Sequence, residues 1–188
     1  SMIPRAEDTG TLLVDGVTTQ VHGEGYHERG LTNVPFTRLF EYWYWARLYC
    51  GEWTFVFPVA RTPGHSLHRP MRAMFVARGS EVLCDRFDAS GLVLSHRVTR
   101  EDTHAPSGRR VAREVEYRLR TPSLSVRITL DEMRERESFS FMPFEGSTPS
   151  PPLWQQHFAR ARVVVRQGLA RHHLEGEAVF EAMLSGAE

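Results

Sequence analysis

The sequence predicts an all-β chain, an antiparallel up-and-down β-barrel of about 8–10 strands, and three observations carry that prediction. Apolar and polar residues alternate at the period of strands over almost the whole chain, and turn signals recur at short, regular spacing. The length of 188 residues, with 41% hydrophobic and 24% charged residues, suits one soluble domain covering residues 2–188. A chain of that size buries about 70% of the surface it exposes when unfolded, which leaves room for a core and an internal ligand cavity. A sandwich fits the same pattern, and the barrel is the preferred reading.

Taken in order, residues 11–14 and 17–25 flank Asp15-Gly16, a pair suited to the positive dihedrals of a type I′ hairpin turn. A short helix near 37–42 is compatible with the pattern but not required by it. Residues 40–50 and 53–60 flank Gly51-Glu52, and 71–77 and 81–87 flank Arg78-Gly79-Ser80. A strand over 92–99 follows, and 110–120 pairs with 124–134 about Pro122-Ser123. In 110–120, Val111, Val115, Tyr117 and Leu119 share one face, with Arg110, Glu114, Glu116, Arg118 and Arg120 on the other. The Pro- and Gly-rich stretch 142–152 reads either as a lid across a barrel mouth or as a plain linker. Strands over 158–166 and 174–183 close the chain, with Arg160, Arg162 and Arg166 spaced to lie opposite Glu181, Glu177 and Glu175.

Lys+Arg 23 against Asp+Glu 23 gives a formal net charge of zero, so no long-range field favours nucleic acid or an anionic lipid surface. All 23 cations are arginine, which excludes a Schiff-base lysine, a P-loop lysine and a lysine general base. Two cysteines make no disulfide scaffold, and no signal peptide or apolar run of membrane-spanning length is present; the expected location is cytoplasmic. Ser1 before Met2 reads as a cloning scar. Phosphate loops, dinucleotide fingerprints and a Gly-x-Ser-x-Gly elbow are missing from the sequence, and neither the loop pair His65 and His68 nor His172-His173, read as a turn, has metal-ligand spacing.

Two segments carry candidate chemistry. Along 40–49, alternation places Glu41, Trp43, Trp45, Arg47 and Tyr49 on one face and Phe40, Tyr42, Tyr44, Ala46 and Leu48 on the other. A glutamate and an arginine beside two tryptophans read as a cavity lining or an internal ion pair. The alternative is core tryptophans with Glu41 and Arg47 paired at a rim. Upstream, His22-Gly23-Glu24-Gly25-Tyr26-His27-Glu28 sets His22, Glu24, Tyr26 and Glu28 on one strand face, with glycines that mark a bulge or a close backbone approach. A carboxyl in an apolar cavity keeps its proton and serves as a general acid; Glu28 is the first candidate and Glu24 the second. A solvated polar edge strand is the plainer reading.

Gly23-Glu24-Gly25-Tyr26-His27-Glu28, then Trp43-Tyr44-Trp45-Ala46-Arg47, then Gly176-Glu177-Ala178-Val179-Phe180-Glu181-Ala182-Met183 resemble, in order, motifs of the lipocalin-like carotenoid 1,2-hydratases and their relatives. Those relatives include AttH-like proteins and fungal decalin-forming Diels-Alderases. The family's Asp is Glu28 here, and its following His-Asn-Trp-Gly is replaced by Arg29-Gly30-Leu31-Thr32. The resemblance implies a lipocalin-like (calycin) barrel, a hydrophobic polyene- or polyketide-like small molecule, and no redox cofactor or metal. It also implies catalytic roles for Glu28, Tyr26 and His27, with Glu24, Glu41, Trp43, Trp45, Arg47 and Tyr49 around the substrate. A cyclase or isomerase is favoured, with a hydratase and a non-catalytic binder as alternatives. Family members typically carry two such domains with the ligand near their junction, and a homodimer would restore that junction for a one-domain chain.

Overall fold

A computed structural model describes residues 2–29, 33–34, 36–88, 90, 92–105, 107–140 and 152–185. The chain divides into two compact units, 1–33 and 34–188. The first is a hairpin of β1 (Met2–Val14) and β2 (Val17–Glu28), paired antiparallel from Val14 opposite Val17. Asp15 and Gly16 take φ of 49° and 79°, as the type I′ reading requires. Gly25 faces Ala6, and a Cβ built on it would meet the Asp8 carboxylate, so any larger residue here would have to displace that side chain.

The second unit opens with a single helical turn, α1 (Phe36–Leu39), and continues as ten strands. These are β3 (Tyr42–Cys50), β4 (Trp53–Val56), β5 (Val59–Arg61), β6 (Pro70–Arg78), β7 (Glu81–Asp88), β8 (Leu94–Thr103), β9 (Arg110–Arg120), β10 (Leu124–Ser140), β11 (Leu153–Gln167) and β12 (Ala170–Leu184). All pairings among them are antiparallel, which bears out the all-β class. The expected strand over 53–60 is two, β4 and β5, because Pro58 has no N–H to give the ladder; its carbonyl still accepts from Ala73 N at 2.9 Å.

The ladder runs from β7 through β6, then β4 and β5, to β3, β12, β11, β10, β9 and β8. β8 and β3 are thus separated by four strands, yet the rings of His96 on β8 and Tyr44 on β3 lie 5.2 Å apart, and Phe57 reaches Tyr117 on β9 at 4.4 Å. The sheet is therefore curled on itself around one core, which runs from Trp53, Phe55 and Leu48 to Leu119, Val126 and Phe180. At the end of β7, Asp88 organises the turn into β8. Its carboxylate accepts from Ser90 N at 2.8 Å, Ser90 Oγ at 2.5 Å, Val93 N at 3.0 Å and Leu94 N at 2.7 Å. The Ser90 hydroxyl and these backbone donors hold its carboxyl well below the usual range.

The last hairpin corrects two expectations. Its two-residue turn, Gly168-Leu169 with Gly168 at φ 56°, sets Arg160 opposite Glu177, Arg162 opposite Glu175 and Arg166 opposite Arg171, not Glu181, Glu177 and Glu175. A turn that short also draws His172 and His173 into β12 instead of a turn, where the His172 ring packs 5.2 Å from Trp53. The outward faces are charged as expected: Arg160 pairs with Glu132 at 3.1 Å and Glu175 at 3.5 Å, and Arg162 with Asp131. Of 142–152 only Pro152 lies within the described residues, and Gly30, Leu31 and Thr32 lie outside them. Among the described residues no helix is long and apolar enough to cross a membrane.

Candidate functional site

The two ends of the curled sheet differ in chemistry. Where β3 ends and β4 begins, the inward side chains are largely apolar: Leu48, Trp53, Phe55, Leu119, Leu124 and Val165. Where β3 and β6 begin and β12 ends, they are polar. One row of cross-strand partners runs Arg72, Val59, Tyr44, Ala182 and Gln155, and the next runs Ala46, Phe180, His157 and Glu135. His96 lies opposite Tyr117 on the strands that curl over to meet them.

These groups touch through their rings. Tyr44 is 5.2 Å from both Tyr42 and His96 and 5.7 Å from Phe180; His96 is 4.9 Å from Tyr117; Phe180 is 6.0 Å from His157. Several of their buried polar atoms have no hydrogen-bond partner among the described residues. They are Arg72 Nε and Nη1, His96 Nε2, Tyr117 Oη, Gln155 Oε1 and both ring nitrogens of His157. Each such group costs about 1–3 kcal/mol when it is buried without a partner.

Burial, helped by the Arg72 charge, lowers the His96 pKa to about 4. His157 is likewise lowered to about 4, by burial first and by Arg113 and His104, with Glu135 opposing. Burial raises Tyr42, Tyr44 and Tyr117 above the ordinary tyrosine range. At neutral pH the interior therefore offers one guanidinium, neutral imidazoles and protonated phenols. Gln155 Nε2 donates to Glu135 at 2.9 Å, and His104 Nδ1 sits 2.8 Å from Ser107 Oγ. Among the described residues no cluster of three or more metal-ligating side chains forms.

The candidate residues of β3 lie on its other face. Tyr44, Ala46, Leu48 and Cys50 belong to the core, with Tyr42 packed against it, so Trp43, Trp45, Arg47 and Tyr49 face away from it. Trp45 is nevertheless buried, as are Val56 and Met183 outside that core, and the Arg47 guanidinium lies 6.0 Å from the Tyr49 ring centre. Glu41 does not pair with Arg47. It precedes β3 and takes Arg61 Nε at 3.2 Å and His68 Nδ1 at 2.9 Å, partners delivered by β5 and the loop after it. In the hairpin unit, Tyr26 donates to the exposed Glu28 carboxylate and Arg5 Nε donates to Glu24 at 2.7 Å, while His27 is exposed.

Arg72, His96, Gln155 and His157 were not singled out by the sequence reading, although the signal is there. Each interrupts the apolar parity of its strand: Arg72 before Met74 and Val76, His96 between Leu94 and Val98, Gln155 and His157 between Leu153 and Ala159. A polar residue on the apolar parity of a strand is the pattern to look for. Because Tyr117 Oη has no partner among the described residues, Tyr117→Phe is expected to stabilise the protein by about 1 kcal/mol in urea denaturation. A loss of stability instead would mean that the hydroxyl is already satisfied.

No family model matches the sequence, and no curated protein matches it. Solved structures do match. CghA, in a structure with Sch210972, aligns with a TM-score of 0.62 at 10% identity over 99% of this chain and 54% of its own. Kievitone hydratase from Nectria haematococca aligns at 0.55 and 12% identity, over 97% of this chain and 51% of its own. An AttH from Nitrosomonas europaea aligns at 0.50 and 8% identity, over 80% of this chain and 53% of its own. The chain thus spans about half the length of these structures. At such identities the likeness establishes the fold, which is the lipocalin-like one the motifs imply.

Proposed function

We propose that this chain is a cofactor-independent cyclase or isomerase that holds a hydrophobic polyene- or polyketide-like molecule inside the curled sheet of 34–188. The observation that supports this is the set of unpartnered buried polar atoms at one end of an otherwise apolar, ring-lined interior. A flexible chain held inside the curled sheet is kept near a reactive conformer. Arg72, His96 and Tyr117 then donate to a carbonyl as negative charge develops on it. The fold is shared with CghA, whose structure was solved with Sch210972, and this supports a small-molecule site.

A hydratase is the second reading, favoured by the fold shared with kievitone hydratase. In that reading a protonated Glu28 gives its proton to an alkene carbon, a water adds to the resulting cation, and the proton that this water sheds returns to Glu28, with His27 beside it. Glu24 on the hairpin, and separately Glu41, Trp43, Trp45, Arg47 and Tyr49 on the second unit, remain proposed substrate-binding residues. Mass spectrometry separates the two. Lipophilic molecules extracted from natively purified protein are returned to it, and the products are weighed. Cyclisation leaves the mass unchanged, whereas hydration adds one water. Protein that is repeatedly empty, and turns over nothing from its own cell extract, would count against both.

A further inference from the structure

We infer that the β1–β2 hairpin is an exchange arm: its apolar tip seats in a cleft beside β8 of a second copy of this chain, and the second copy returns the same contact. That contact is independent of whatever the interior holds.

The arm is built to be covered. Its last three cross-strand rows are Val14 with Val17, Leu13 with Thr18, and Leu12 with Thr19. Directly opposed residues share a face and successive rows alternate, so the tip carries aliphatic side chains on both faces. Leu12, Leu13, Val14 and Val17 are nonetheless 53–70% exposed. A two-stranded hairpin is marginally stable by itself in water, and a clustered aliphatic surface of this kind marks a contact. Charge says what the contact is with. Residues 1–33 hold two arginines against five carboxylates, a net −3, and because the whole chain sums to zero, 34–188 carries +3. An acidic arm is attracted to a basic body, whereas two acidic arms repel each other.

The cleft lies at the end of the ladder. Among the described residues β8 pairs with β9 alone, and Leu92, Val93, Ser95, Arg118 and Arg120 surround a space of about 180 Å³ beside it. Small-molecule sites run to about 300–1,000 Å³, so a space of this size suits side chains of a docked segment better than a whole ligand. Leu92 is 86% exposed and supplies an apolar wall. Arg118 is held by Glu116 at 2.6 Å, while Arg120 forms no ion pair among the described residues. Asp15, in the turn between Val14 and Val17, forms none among them either. Leucine, valine and one carboxylate at the tip therefore match leucine, valine and one spare arginine at the cleft. Both surfaces are exposed in the single chain, and a second copy brings both halves of the contact. A two-fold axis then makes two identical contacts, each supplying only half of the roughly 1,200 Å² that a stable interface buries.

Sedimentation equilibrium of the 188-residue chain tests this, and a species of twice the mass of one chain is expected at about 100 μM. Leu13→Asp on the arm and Arg120→Glu at the cleft both change exposed side chains, and each is expected to weaken association at least about tenfold. Mixed in equal amounts, the two variants restore one intact contact, because the cleft of the first takes the arm of the second. The mixture is therefore expected to associate more strongly than either variant alone. Asp15→Asn keeps a residue suited to the positive φ of the turn and removes only the charge; it should flatten the salt dependence of association. Should Leu13→Asp fold poorly, the strand-compatible Leu13→Thr takes its place. A monomer at about 100 μM overturns the inference, as does a dimer that neither variant weakens. Loss of association in only one of the two variants overturns it as well, and so does a mixture no stronger than its parts.

Discussion

Lowering the pH from about 7.5 to about 4 is expected to remove on the order of 6 kcal/mol of stability, close to the whole stability of an ordinary domain. His96 and His157 are the cause. In the unfolded chain each takes a proton near 6.5, whereas in the folded interior each resists protonation down to about 4. Between those values the unfolded state binds more protons than the native one, so stability falls as the pH falls through that window. It is fully present above 6.5, and these two groups cost nothing further below about 4. Each contributes about 3 kcal/mol at the acid end, since both imidazoles are desolvated and face cations, Arg72 for His96 and Arg113 with His104 for His157. Asp88 extends the loss below that window. Its carboxyl is held down by Ser90 and the 93–94 backbone, so its stabilisation is present above the ordinary carboxylate range and is lost as the pH falls beneath it. Urea midpoints measured at several pH values between about 7.5 and 4.5 check this. A flat profile would mean that the two rings are not buried as neutral groups. Substituting His96→Gln or His157→Gln should each remove about half of the slope.

Alternation alone does not say which face of β3 meets the core. Periodicity divides 40–49 correctly into two sets, but both are aromatic, and nothing local says which one turns inward. The choice comes from partners far along the chain: Ala178, Phe180 and Ala182 on β12 pack against Ala46, Leu48 and Tyr44. The inward parity of β9 was legible because Val115, Tyr117 and Leu119 alternate with charges, and the type I′ hairpin was legible because Asp15-Gly16 carries its own conformational preference. Glu41 illustrates the opposite limit. Arg47 was its nearest cation on the same strand face, yet Arg61 and His68 reach it through the β3–β5 pairing, which spacing within a strand cannot reveal. Arg72 was hidden among 23 arginines that mostly serve an outward face. Its distinction is parity within β6, not charge.

Phe180→Ala is expected to cost about 3–5 kcal/mol. The side chain is 0% exposed and its cross-strand neighbours are Ala46 and His157. Ala178 and Ala182 stand two positions away on the same face, so three of the residues nearest the new space are alanines and cannot swing in to fill it. A site that cannot collapse keeps its cavity, and the cost then sits at the upper end of the range. The ring also separates the two polar groups, with Tyr44 at 5.7 Å on one side and His157 at 6.0 Å on the other. Water entering the vacated space would find polar atoms of both and recover part of the loss. Phe180→Leu keeps most of the volume and excludes that water; it should cost less than about 1.5 kcal/mol. The measurement is the shift in urea midpoint at constant slope. A loss under about 2 kcal/mol for the alanine variant would show that the space beside Phe180 is already open in the native protein, because truncating a ring that borders an existing cavity forfeits fewer contacts than truncating one packed on all sides.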